Sequence, residues 1–339
     1  MSPILSRLAS TGTVNSIGGF NIGRRRPISA VGASGPVTAS GGTQTNITVG
    51  GLNYRLHTFT TVGNTTFSIT AGGDQIDVFI VGGGGGGGML GGGGAGGGII
   101  WASATGVALG DYTITVGDGG AGEVGWTGAV RKGNSSSAFG LTALGGGGGL
   151  SYSGTPPADT NTNVANTGGN RYSQTGLNGS TTAMTIGGIW SGTAYGGYRG
   201  GGGDPNCCSC RGGGGAGAGA NGSAYNGPGN GGIGVQLNFD GNNYYWSGGG
   251  GADGYCSNTG GAGGLGGGGG AAGQGSRGLG GGSARNSGAA GTPTSGDGNG
   301  GAGGANTGGG GGAACNGSGI TSYVGGKGGS GIVMVRYRY

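Results

Sequence analysis

Val78-Phe79-Ile80-Val81 runs directly into seven consecutive glycines, Gly82 to Gly88, with no helix-forming segment between them. The same hand-over from apolar strand to bare backbone recurs along the chain, and glycine makes up 109 of its 339 residues. Ordering a glycine in place of an alanine costs ~0.5–1 kcal/mol of extra backbone entropy. Four Trp, six Phe and four Met offer little conventional core to offset that. A flexible low-complexity chain is the first alternative. Such chains are rich in Glu, Lys, Ser and Pro, whereas this one is 7% charged and has eight prolines.

Ordered glycine tracts must pair every backbone N–H and C=O that they bury. Helix is disfavoured by about 1 kcal/mol per glycine, and a flat glycine sheet has no side chains to hold its register. Collagen needs glycine at every third position with abundant proline, a rule that Gly266 to Gly270 followed by Ala271-Ala272 breaks. The polyproline-II spiral remains. It makes no internal hydrogen bonds and must bond sideways to neighbours, which glycine lets approach closely. The expected fold is therefore all-β and irregular, without α-helix: a stacked lattice of polyglycine-II helices, each roughly 6–15 residues long, carrying aromatic loops and joined to a small β-sheet.

Candidate strands are Tyr54 to Thr61 and Thr65 to Thr70, read as a hairpin around Gly63-Asn64, then Gln75 to Val81, Tyr112 to Val116, Ser136 to Phe139, Leu141 to Leu144 and Ile332 to Tyr339. A terminal strand after nearly 200 residues of glycine tracts needs a partner, and the early strands are available, so both chain ends are expected in one sheet. The organisation reads as an extended attachment arm over 1–45, a β-rich domain with the first tracts over 46–144, the lattice with its inserted loops over 145–328 and a closing strand over 329–339.

Net charge is +5 and its one cluster is Arg24-Arg25-Arg26. Arg-Gly-Gly occurs around Arg199 and Arg211 without the dense series of an RNA-binding tail, so no nucleic-acid partner is expected. No stretch approaches 18 apolar residues and the N-terminus lacks a signal-peptide core, so neither membrane insertion nor Sec export is expected. Five cysteines, an odd number, suit a reducing cytoplasm better than a disulfide scaffold. The Cys207-Cys208-Ser209-Cys210 cluster beside Asp204 has neither the usual pair of Cys-x2-Cys loops nor a nearby histidine to complete a zinc site. Inert packing is the favoured reading of the cysteines, with a Cys256–Cys315 disulfide as the alternative and no metal or cofactor.

No catalytic constellation emerges. With one residue in three a glycine, the dinucleotide pattern G-x-G-x-x-G arises by chance on the order of ten times, and the required helix and acidic residue do not follow Gly88. His57, the sole histidine, sits between Leu56 and Phe59 in a strand pattern, and the carboxylates are scattered singly from Asp74 to Asp297. The chain is expected not to be an enzyme.

The ordered series of strand motifs nevertheless resembles the glycine-rich domain of bacteriophage tail fibres and adhesins. It comprises Tyr54 to Thr60, Ile76 to Val81 into polyglycine, Tyr112 to Gly117, Asn134 to Phe139, and the ending Gly329 to Tyr337. The resemblance spans about residues 50–339. It implies a virion protein, assembled in the host cytoplasm, that recognises a bacterial cell-surface receptor, a glycan or an outer-membrane protein, through loops on a polyglycine-II scaffold. Receptor contacts are then expected among Trp190, Tyr195, Tyr198, Tyr225, Tyr244, Tyr245, Trp246 and Tyr255, whose faces stack and whose tips hydrogen-bond. Asn242, Asn243 and Asp253 are expected to assist. Capping of the lattice ends is the alternative role for these aromatics. The N-terminal arm is similar to short virion-attachment segments, which assigns Arg7, Leu8, Phe20, Arg24, Arg25 and Arg26 to docking on other tail or virion proteins. A homotrimer or other homo-oligomer is compatible with this arrangement. The competing reading is a structural decoration or filament subunit that clamps its neighbours through 1–45. An ice-binding protein would need a flat face of small residues, which the inserted loops oppose.

Overall fold

The computed structural model describes residues 35–124, 132–151, 163–170, 184–204, 211–254, 259–293, 295, 298–316 and 323–339. Among these residues there is no helix. The strands are β1 (Thr38–Ser40), β2 (Thr43–Val49), β3 (Leu52–Phe59), β4 (Gly63–Ala71), β5 (Ile76–Val81), β6 (Ile99–Ala104), β7 (Gly110–Val116), β8 (Ser136–Ala138), β9 (Leu141–Ala143), β10 (Ser191–Tyr195), β11 (Val235–Leu237), β12 (Tyr244–Trp246) and β13 (Ile332–Arg338). One sheet runs β1-β4-β7-β8-β9, a second β10-β6-β5-β13-β3-β2, and β11-β12 form a separate hairpin. The C-terminal strand β13 lies between β3 and β5, so it shares a sheet with the early strands β2, β3 and β5, whereas β1 lies in the other sheet.

Alternation along the central strands explains their position. Ile76, Val78 and Ile80 of β5, with Val333, Val335 and Tyr337 of β13, face the five-stranded sheet and pack with its Phe67, Ile69 and Ile114. Phe79 and Val81, with Ile332 and Met334, face the other way, where Phe239 and Trp246 of the β11–β12 hairpin cover them. Both faces are buried, and these strands therefore read as apolar runs, interrupted at Asp77 and Arg336.

The hairpin expected around Gly63-Asn64 does not form, because β3 and β4 belong to different sheets. β3 pairs instead with β2 across Gly50-Gly51, with Val49 opposite Leu52. Both glycines have positive φ, 58° and 80°, the requirement of the two-residue turn that matches strand twist. That turn outcompetes the longer Thr60–Val62 link. It also places β1 and the first three residues of β2 inside the segment read as an arm. The attachment candidates Arg7, Leu8, Phe20, Arg24, Arg25 and Arg26 lie outside the described residues.

Beyond the strand ends lies the polyglycine-II lattice. The β5–β6 pairing, Val81 opposite Ile99, continues into it: Gly82, Gly85 and Gly88 donate to the carbonyls of Gly98, Ala95 and Gly92 at 2.8–3.0 Å. Gly84 and Gly87 donate to Gly329 and Gly326, and Gly83 to Asn134. The carbonyls turn to three further tracts: those of Gly83 and Gly86 accept from Gly146 and Gly149, those of Gly84 and Gly87 from Gly120 and Glu123, and those of Gly85 and Gly88 from Gly311 and Ala314. A partner that recurs every third residue is the signature of a three-residue turn, and six neighbours around one strand make a hexagonal array. None of Gly82 to Gly88 has positive φ. Ideal Cβ atoms on Gly82 to Gly87 would stand 2.0–2.2 Å from a neighbour's carbonyl oxygen, so the array exists only because those atoms are missing.

His57 is fully buried in β3, as its strand pattern implied. Its Nδ1 lies 2.7 Å from the Gly41 carbonyl oxygen and its Nε2 3.1 Å from the Tyr337 hydroxyl. The carbonyl can only accept, which assigns the proton to Nδ1 and leaves Nε2 to accept from Tyr337. This pair pins the Gly41-Gly42 passage from β1 in one sheet to β2 in the other. Burial lowers the His57 pKa below its ordinary 6.5, the Gly41 carbonyl opposing and the Arg55 charge adding to the shift. The unfolded chain therefore binds the more protons, so stability is full above about pH 6.5 and declines as pH falls towards the lowered native value. No second histidine titrates there. The melting temperature is expected to fall between pH 7 and 5.5, and His57→Gln to flatten that dependence; an unaltered slope in the variant would place the sensitivity elsewhere.

Candidate functional site

The turn Met89-Leu90, with Leu90 at φ 45°, closes the first lattice hairpin at the end remote from the sandwich. Met89 and Leu90 pack with Ala272, Ala314, Cys315 and Tyr323 in a small apolar cap. Cys315 is a buried packing residue there, whereas Cys207, Cys208, Cys210 and Cys256 lie outside the described residues. Buried Glu123 accepts from the Met89 N–H at 2.8 Å and from the Ser151 hydroxyl. Asp253 N–H donates to the Gly91 carbonyl, Gly212 N–H to the Asp253 carboxylate, and Asp204 N–H to Arg211. These contacts gather Glu123, Ser151, Asp204, Arg211 and Asp253 at one end, with Tyr323 bonded to Asn316 beside the cap; residues 125–131, 152–162, 205–210, 255–258 and 317–322 lie outside the described residues. Beside this tip a recess of about 400 Å³ is lined by Arg211, Gly227, Pro228 and Thr259.

The aromatic candidates do not assemble into one face. Trp246 is fully buried, stacks edge-on against Phe79 at 5.1 Å and donates its indole N–H to the Leu237 carbonyl. It is a core residue and is withdrawn as a receptor contact. Tyr195 and Tyr244 lie half-buried against the same core, and Trp190 packs on the opposite core beside Phe139 at 5.2 Å. Tyr245 is half-buried and its N–H bonds the Ser283 carbonyl. Half-buried Tyr198 donates its N–H to the Asn166 side chain, and Tyr225 its N–H to the Gly202 carbonyl. Tyr255 lies outside the described residues. Asp253 is buried in the lattice and corrects the expectation of an exposed ligand contact, while Asn242 and Asn243 are exposed.

Sequence reasoning missed a second place. The β11–β12 hairpin covers the middle of the six-stranded sheet and stops short of its β2 edge, leaving a cleft of about 270 Å³. Thr43, Thr45, Thr58 and Thr60 form one wall over Ile47 and Leu56; Asp240, Asn242 and Arg285 form the other. Buried Asp240 accepts from the Asn242 N–H at 3.1 Å and pairs with Arg285 at 3.7 Å. Among the described residues no three His, Cys, Asp or Glu side chains gather as a metal site.

Residues 60–305 match the family model described as a glycine-rich domain. The chain belongs to the glycine-rich domain family. No curated protein matches it. For this glycine-rich domain protein, the family match and the hexagonal array describe one property: the matched span runs from the β3–β4 link through most of the lattice tracts.

Proposed function

We propose that this protein is a non-enzymatic phage virion component, a tail-fibre tip or adhesin, that holds one end of its lattice against a receptor on the bacterial surface. The observation that carries this reading is the polar and apolar grouping at one end of the array, where Glu123, Ser151, Arg211, Asp253, Asn316 and Tyr323 come together around Met89 and Leu90. The lattice uses backbone hydrogen bonds, so the side chains at this end can vary in sequence without altering its register. Fixing the residues of this end on a hydrogen-bonded array before binding lowers the ordering cost. The resemblance of the strand-motif order to tail-fibre glycine-rich domains supports the same reading.

The test is saturable binding of the full chain to a panel of candidate host bacteria, with competition against adsorption of intact phage. The full chain is required because a cut before residue 46 would remove β1 and the first three residues of β2. Saturable binding that blocks adsorption is expected. The open outer strand β2, seven residues without charge or proline, is of the kind that adds to another sheet and favours the second reading, a decoration or filament subunit. Absence of cell binding together with incorporation into virions would select that reading.

A further inference from the structure

We propose that the cleft at the β2 edge binds the end of an uncharged polyhydroxylated chain, a neutral sugar residue, with its ring face on Ile47 and Leu56. This rests on the adhesin reading for its biological role, though not for its chemistry. Thr43 and Thr45 of β2 and Thr58 of β3 project to one side of the sheet, since Thr43 pairs with Thr58 and Thr45 with Leu56. With Thr60 they present a row of hydroxyls, each able to donate and accept. Vicinal ring hydroxyls need that dual capacity. The apolar pair beneath matches the C–H face of a pyranose, and the volume, just under the roughly 300–1,000 Å³ of ordinary small-molecule sites, suits the terminus of a chain rather than a buried oligomer.

Charge selects the neutral class. Among the described residues the only charged groups on the cleft walls are Asp240 and Arg285, and they are paired with each other. An anionic ligand would have to displace the Asp240 carboxylate, whose side chain is 4% exposed, and a cationic one the guanidinium. A neutral polyol leaves the pair in place and uses the N–H groups of Arg285, whose side chain is 35% exposed. The walls are also held before any ligand arrives. The Asn306 side-chain amide donates to the Thr60 carbonyl at 2.9 Å, and the Tyr245 N–H to Ser283 at 2.7 Å, which ties the hairpin to the segment that carries Arg285.

The experiment passes the full-length protein over immobilised glucose-, galactose- and mannose-terminated oligosaccharides and over sialylated and sulfated versions of the same chains. Retention on one or more neutral chains is expected. Thr45→Trp, which fills the cleft from an exposed strand position, should abolish it, and Thr45→Val should weaken it by roughly threefold to tenfold, the loss of one hydrogen bond. Asn46→Trp, one residue along and on the opposite side of the sheet, should bind like the parent. All three variants are expected to melt at the parent temperature. Retention on acidic chains alone, no retention on any, or equal loss in Thr45→Trp and Asn46→Trp overturns the proposal. Cell binding by the same variants separates the two ideas. Cells bound equally by Thr45→Trp remove the cleft and leave the adhesin, whereas neutral-sugar binding without any cell binding leaves the cleft and removes the adhesin.

Discussion

Gly85→Ala is expected to remove most of the protein's stability, although it adds a single methyl group. The added Cβ would stand 2.0 Å from the carbonyl oxygen of Gly147 and 2.4 Å from its carbon, contacts that no rotamer can relieve because both partners are backbone. Gly147 is itself tied into the array, its N–H on Asn166 and its carbonyl taken by Ala95. Pushing it aside therefore strains several tracts together. Overpacking a side-chain core costs about 1–3 kcal/mol; with no side chain to yield, the cost here belongs at or above the top of that range, in the tail reached by few substitutions. Gly268→Val should behave alike, since its Cβ would meet the Gly249 carbonyl oxygen at 2.0 Å. The control is Gly187→Ala, where the same methyl meets nothing within 4 Å and φ is not positive, so its effect should stay within about 0.5 kcal/mol. Thermal melts of the three variants decide the matter. Equal melting temperatures for Gly85→Ala and Gly187→Ala would mean that the tract is not packed in a lattice.

The same geometry explains what could be read from the residues and what could not. Elimination of helix, flat sheet and collagen left only the polyglycine spiral, and β5, β7, β8, β9 and β13 were visible because their apolar residues leave a clear pattern. Which tract lies beside which was hidden, since Gly83 and Gly84 are chemically identical and yet face different neighbours. Register is imposed from outside: Val81 opposite Ile99 sets Gly82 opposite Gly98, and the array inherits it. β2 escaped notice because Thr43-Gln44-Thr45-Asn46 has no apolar alternation, being the wet outer strand of its sheet. The cleft was lost with it. Tyr244 to Trp246 were legible as an aromatic insert, but the period of two that turns Trp246 inward beside Phe79 cannot be phased until the hairpin's partner is known.

One buried pair was within reach of the sequence, and its removal is the second large effect expected. Asp77 interrupts the apolar run of β5 and Arg336 that of β13, and the register sets them directly opposite. Arg336 Nε donates to Asp77 at 3.0 Å and Nη1 to the Phe239 carbonyl at 2.6 Å, while its guanidinium lies 4.4 Å from the centre of the Phe239 ring and 4.5 Å from that of Tyr54. Gln75 and Ser103 complete the Asp77 carboxylate. Arg336 thus fastens the hairpin that covers the second face to the strand that closes the sheet. Arg336→Met leaves a buried carboxylate without its cation and a carbonyl without its donor, a loss of about 3–5 kcal/mol. Both side chains of the pair are 7% exposed, so solvent screening does little to reduce that figure. Asp77→Leu combined with Arg336→Met should recover much of the loss, because an apolar pair of similar volume replaces a buried ion pair at little cost. Denaturant melts of both single variants and the double variant measure the coupling. Additive losses would show that the two residues act separately, and the hairpin would then be held by Phe239 and Trp246 packing alone.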